Sequence, residues 1–135
     1  MELQPDTAPL VRFLYNAKKE YAGYEGNSGF VKAKAFEPDG QYNETSCFNL
    51  ETRDRINLWA HCDTHGRAGK RADACAAFLC RDVRSINLLP FCDGYAPQHV
   101  AIRGWPTRAG DELQLKAARM NLQQQLAQAS SLVSR

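Results

Sequence analysis

One stretch limits the folds open to this chain more than any other. It is Gln98-His99-Val100-Ala101-Ile102-Arg103-Gly104-Trp105-Pro106, set directly before the longest helical period in the sequence. On a strand, successive side chains face opposite sides. Val100 and Ile102 are the pair suited to a core, so His99, Ala101 and Arg103 share the other face. An imidazole and a guanidinium then stand together beside a small residue. This predicts His99 on a polar face, partly accessible, with Arg103 disfavouring the charged ring. The same alternation also fits an ordinary edge strand with its polar residues outward.

After Pro106, Thr107 or Asp111 can start the last helix, with Asp111 and Glu112 at its positive end. Leu115, Leu122, Leu126, Ala129 and Val133 fall on one face of it. Gln114, Gln123, Gln124, Gln125 and Gln128 fall on the other, which reads as a solvated face or a coiled-coil surface.

Upstream the signals are shorter. Residues 1–9, with Pro5 and Pro9, read as a flexible N-terminal arm, and residues 10–135 as a single domain. Leu10-Val11-Arg12-Phe13-Leu14-Tyr15 is an apolar run, a strand or a helical turn. Residues 16–29 read as loop. Residues 29–36 alternate, with Val31, Ala33 and Ala35 opposite Phe30, Lys32, Lys34 and Phe36. Pro38-Asp39-Gly40 supplies a turn. Ser46–Leu50 is the next strand, and the two are expected to pair antiparallel. Thr52 could cap a helix with Asp54 in its first turn, whose stripe is Ile56, Trp59 and Ala60 with Leu58 flanking, stopped at Gly66–Gly69. Ala72, Cys75, Ala76, Leu79 and Cys80 predict a second helix over 71–81. Ile86, Leu88, Leu89 and Phe91 predict a strand, and Asp93-Gly94 a turn. The sum is an α+β fold: a small antiparallel or mixed sheet, helices packed on one side, and a long C-terminal amphipathic helix.

A formal charge of +2 on 135 residues gives no basic surface of the kind nucleic acid requires. No apolar run approaches the ~18–20 residues that span a membrane. The start Met1-Glu2-Leu3-Gln4 has neither the basic nor the apolar part of a signal peptide. Five cysteines, an odd number, favour free thiols. A cytoplasmic location is expected.

Several segments carry a resemblance. In order they are Arg12-Phe13-Leu14-Tyr15, Val31-Lys32-Ala33-Lys34-Ala35-Phe36, Ser46-Cys47-Phe48, Asn57-Leu58-Trp59, Arg71-Ala72-Asp73 and the 98–106 stretch. Over roughly residues 10–133 the chain resembles a group of small bacterial proteins whose last strand ends in a His-containing Gly-Trp-Pro segment. The resemblance implies no activity. It singles out Phe36, Ser46, Phe48, Trp59, Arg71, Asp73, His99, Gly104, Trp105 and Pro106. Asn49 and Gln98 depart from the group, which has arginine at the first and commonly at the second.

Three constellations carry chemistry. His61, Cys62, Asp63 and His65, with Cys75, Cys80 or Cys92, approach a tetrahedral ligand set, but no C-x-x-C pair or finger spacing accompanies them, so no metal and no cofactor are expected. Cys47 or Cys92 could form a nucleophile pair with His99. Gly66-Arg67-Ala68-Gly69-Lys70-Arg71 lacks the Ser or Thr of a phosphate loop, though a helix start bearing Lys70 and Arg71 could hold an anion. Two functions follow. The first is a small binding or regulatory module serving a larger bacterial protein partner. The alternative is an enzyme, or the remnant of one, acting on a phosphate-bearing ligand, with His99 as acid or base and Lys32, Arg71 and Arg103 holding the anion.

Overall fold

A computed structural model describes residues 4–23, 29–108 and 110–135. The strands are β1 (Pro9–Leu14), β2 (Tyr21–Ala22), β3 (Phe30–Val31), β4 (Thr45–Phe48), β5 (Ala74–Leu79), β6 (Leu89–Cys92), β7 (His99–Arg103) and β8 (Ser131–Ser134). The helices are α1 (Arg55–His65), α2 (Cys80–Arg84) and α3 (Glu112–Ala129), with a 3-10 turn over Ala33–Phe36. Six strands form one sheet in the order β6-β7-β4-β1-β5-β8, and β2 pairs with β3 in a small ribbon. Every pairing is antiparallel. The α+β class, an antiparallel sheet with helices packed on one face and the long C-terminal helix are therefore as the sequence predicts, with α1 as the one helix on the other face. α3, α2 and the 3-10 turn cover one face of the sheet, while the shorter α1 lies over part of the other.

Strand alternation sorts the core into two layers. Leu10 and Leu14 of β1 join Phe36, Phe78, Ile102 and Leu126 under α3. Val11 and Phe13 join Phe48, Leu58, Trp59 and Cys62 under α1. β1 is thus buried on both faces, and so is β5, with Ala76 and Phe78 on the α3 side and Cys75 on the α1 side.

That double burial explains the main departure from the sequence reading. Residues 71–81 are not a helix: β5 occupies 74–79 and α2 only 80–84. A strand covered on both faces is apolar at every position, and a run of that kind also satisfies helical spacing. The pairing of β5 with both β1 and β8 decides between them. No helix starts at Lys70 and Arg71, so the helix terminus that could have held an anion there is absent too.

Other corrections have local causes. The alternating 29–36 stretch is a strand only at 30–31, and β3 pairs with β2 rather than with β4. The 3-10 turn puts the consecutive Ala35 and Phe36 into the same core layer, whereas a strand would send them to opposite faces. Phe36 meets Phe78 edge-on at 5.2 Å. In α1, capped by Asp54, the buried residues are Leu58, Trp59 and Cys62, while Ile56 is 88% exposed and Ala60 is exposed. α3 starts at the Asp111 cap and ends at Ser130, whose extended backbone releases the chain into β8. Val133 therefore belongs to an edge strand. Gln123, assigned to the solvated face, is only 3% exposed and donates to the Ala33 carbonyl at 3.1 Å. Residues 4–8, expected as a loose arm, are tied to α2 by Arg84, whose guanidinium reaches Asp6 and the Gln4 carbonyl. Pro90 sits within β6, which is tolerated because β6 is an edge.

The end of β7 follows the sequence closely. Gly104 has φ +93, a conformation only glycine adopts without strain. It turns the chain so that Trp105 is buried and its indole donates to the Ile102 carbonyl at 3.1 Å. Among the described residues no helix is long and apolar enough to cross a membrane.

Leu126 is fully buried and Gln124 is exposed. Leu126→Ala should cost ~2–5 kcal/mol of stability, from lost transfer energy and the cavity left behind, whereas Gln124→Ala should stay within ~0.5 kcal/mol. Urea melts of both variants check this. Equal midpoints would mean that α3 does not dock through this face.

Candidate functional site: a cleft where two strands part

β1 and β4 pair at one position, Val11 with Phe48. By contrast, β1 follows β5 over its whole length, and β4 follows β7 from Thr45 to Phe48. Continued, the β1–β4 register would set Phe13 against Ser46 and Tyr15 against Glu44. Instead these four residues, with Phe48, line a cleft of about 370 Å³. Arg12 holds the parted strands. Its Nη1 donates to the Ser46 carbonyl at 2.7 Å and its Nε to the Ala35 carbonyl at 2.6 Å. By strand parity Arg12 belongs to the α3 side, so it closes the gap from beneath. Burial pulls its pKa down, an effect that the carboxylate of Glu20 opposes.

One wall is a histidine–carboxylate pair. His99 Nδ1 lies 2.7 Å from Asp93 Oδ1, and the same oxygen accepts from the Tyr95 amide at 3.0 Å. Burial alone would raise the Asp93 pKa. The Tyr95 amide, the His99 ring and the charge of Arg103 outweigh it, and the pKa lies below the ordinary value. With Nδ1 committed, His99 has Nε2 for other partners, the arrangement that fixes tautomer and orientation in acid–base histidines. The ring packs between Phe48, edge-on at 5.4 Å, and Tyr95 at 5.3 Å.

The other wall is the end of α1: His65, Gly66 and Arg67. Arg67 donates its backbone N–H to the Tyr15 hydroxyl at 2.8 Å and lays its guanidinium 4.9 Å from the centre of the Tyr15 ring. Gly66 makes this approach possible, because a Cβ there would stand 2.4 Å from both the Cys62 carbonyl and the Tyr15 hydroxyl. The His61 ring lies tilted against His65 at 4.6 Å and meets Phe48 edge-on at 5.0 Å, so all three histidines of the chain gather at Phe48 or one ring from it.

The acidic residues of the cleft are occupied. Glu37 pairs with Lys34 and Glu44 with Arg103, and Asp39 accepts from the Gln41 and Tyr42 amides. Arg12 and Arg67 have no carboxylate ion pair among the described residues. The arrangement can therefore present two guanidinium groups and an oriented imidazole to an anion.

Of the residues predicted from sequence, His99 lines the cleft, on the face opposite Val100 and Ile102 as expected. It is 7% exposed rather than partly accessible, because α1 and the 93–98 loop cover that face as well. Arg103 is on the same face but is held by Glu44 at 2.9 Å and lies over the Phe91 ring at 4.0 Å. Neither Lys32 nor Arg71 lines the cleft. Lys32 donates to the Lys18 carbonyl, and Arg71 is exposed beside Asp73. Cys47 cannot serve His99. It pairs with Val100, faces the α3 side, and burial pushes its thiol pKa up. Cys92 also packs on that side. Cys62 is buried under α1 rather than open to a metal. Among the described residues no three His, Cys, Asp or Glu side chains are grouped to hold a metal ion.

Sequence reasoning missed Arg12, Asp93, Tyr95 and, as a site residue, Arg67. The signal for Arg12 was a single charge within an apolar strand run. The signal for Asp93 was its place at a turn opening the hairpin that ends in His99. A comparison of the chain with protein families, with curated proteins and with solved structures finds no match.

Gly66→Ala should lower stability by ~1–3 kcal/mol, the usual cost of forcing atoms into a filled space. Gly40→Ala, where a Cβ meets nothing within 4 Å, should be near neutral. Chemical denaturation of the two separates close packing from a general glycine effect.

His61 generates a pH dependence. Burial lowers its pKa, the neighbouring His65 lowers it further, and the Pro97 backbone opposes both. A folded pKa below the unfolded ~6.5 gives stability that is complete above that value and lost as pH falls through the folded pKa. The wild-type denaturation midpoint should therefore drop between pH 7 and pH 5, and His61→Gln should flatten that drop. An unchanged slope would show that His61 ionises as freely folded as unfolded.

Proposed function

We propose that the cleft binds a small phosphate-bearing ligand and that His99, oriented by Asp93, exchanges a proton with it. This follows the enzyme alternative rather than the accessory module. The anion holders become Arg12 and Arg67 in place of Lys32, Arg71 and Arg103. The observation that carries the reading is the joint presence, in one cleft, of the Asp93-bound imidazole and two arginines without carboxylate ion pairs. Arg67 binds its ligand from a fixed perch on Tyr15, so less side-chain freedom is lost on binding. A volume of about 370 Å³ suits a small metabolite, since ligand pockets span roughly 300–1,000 Å³.

The test is a titration of phenyl phosphate into protein with 15N-labelled imidazoles. The His99 and His65 ring signals should shift and saturate. Arg67→Ala should weaken binding about tenfold or more, as expected for one lost charge-assisted hydrogen bond. No saturable shift at His99 in the wild type would overturn the reading.

A further inference from the structure

Tyr95 is 83% exposed, yet it is not loose. Its backbone N–H is held by Asp93, the carboxylate that also holds His99. Its ring lies against the His99 ring at 5.3 Å and lines the cleft. The loop that carries it is shaped by two left-handed residues, Gly94 at φ +71 and Gln98 at φ +62. For Gln98 that conformation is costly and is kept only where surroundings impose it. So large an aromatic surface, fixed at the mouth of a polar cleft and open to water, gains by covering.

From this we infer that Tyr95 is the aromatic platform of the site, and that the ligand is a monophosphate ester carrying a flat ring, such as an aryl or nucleoside monophosphate. The inference rests on the phosphate-binding reading above and adds to it the part of the ligand that the arginines do not see. The phosphate is held by Arg12 and Arg67. The ring stacks on the outer face of Tyr95, offset or edge-on as aromatic pairs prefer. Asp93 couples the two ends, since one carboxylate fixes both the imidazole and the platform.

The experiment measures dissociation constants by calorimetry for four probes: inorganic phosphate, ribose 5-phosphate, phenyl phosphate and adenosine 5′-monophosphate. Wild type, Tyr95→Phe and Tyr95→Ser are compared. Tyr95 is exposed, so both variants should fold. In the wild type at least one ring-bearing ester should bind about fivefold or more tighter than ribose 5-phosphate. Tyr95→Ser should abolish that preference, so that within this variant the ring-bearing esters bind no tighter than ribose 5-phosphate, whereas Tyr95→Phe should retain it. A preference for phenyl phosphate alone supports small aryl esters, and one for the nucleotide supports nucleoside esters. Equal affinity for ring-bearing and ring-less esters overturns the platform while leaving the phosphate site standing. A preference that survives Tyr95→Ser also overturns it. Failure of every phosphate to bind overturns both readings.

Discussion

The divergence of β1 from β4, bridged by the Arg12 guanidinium, is the constraint on which the site depends. An antiparallel sheet normally exchanges backbone hydrogen bonds along its strands. Here the ladder is given up after Val11 and Phe48, and a side chain substitutes for it at the Ser46 carbonyl. The cost is limited because each strand keeps its other neighbour: β5 for β1 and β7 for β4. The opening therefore sits inside the sheet, between two well-paired halves. Side chains on either side of it are carried by rigid strands, which hold a binding geometry better than loops do.

The two walls arise from different kinds of local structure. His99 takes its place from β7 register, opposite Phe48. Asp93 reaches it because the loop after β6 returns directly into β7, bringing a residue six positions away within hydrogen-bond distance. On the other side, α1 ends where Gly66 allows the Tyr15 hydroxyl to press against the helix terminus. Tyr15 thus links the end of β1 to the end of α1 and sets where Arg67 lies. Burial also raises the Tyr15 pKa, which keeps the hydroxyl protonated at neutral pH, while its oxygen remains available to accept from the Arg67 amide.

Where a face is covered on one side only, or a turn is chemically explicit, the sequence reading holds. The Gly104–Trp105 turn, the Asp111 cap and the strand at Ser46 were legible for that reason, and β7 kept its alternation although both its faces are covered, because His99 and Arg103 make its second face polar. Where burial is two-sided, periodicity loses its meaning. Ala74–Leu79 shows this most plainly, since every residue is apolar or small and two periods fit equally well. The site was legible only in part because its members are remote in sequence. His99 was found from its own strand. Arg12 functions as a partner of residues 23 and 34 positions away, and nothing local marks a charged residue as the one that will meet a carbonyl across a gap; Asp93 is only six positions from His99 but reaches it through the fold of the intervening loop. Lys32 and Arg71 failed for the converse reason. Both are basic residues beside plausible elements, yet Arg71 precedes a strand rather than a helix, and Lys32 serves the β2–β3 ribbon.

Arg12 raises the question of why a positive charge is kept half-buried between two core strands. Its partners are carbonyl oxygens rather than a carboxylate. Carbonyl dipoles satisfy guanidinium N–H groups without cancelling the charge, and a buried charge left uncompensated costs stability. Glu20, whose charge favours the guanidinium, spends one oxygen on the Tyr15 and Asn16 amides. A well-packed apolar residue could fill the gap at less cost, since exchanging buried charges for apolar side chains is often neutral or stabilising. An anion in the cleft changes that balance, because it supplies the missing counter-charge where water is partly excluded and the attraction is stronger than in bulk. The same feature that weakens the empty fold then strengthens the occupied one. Retaining a half-buried arginine between two parted strands is what a position that serves binding rather than stability would show.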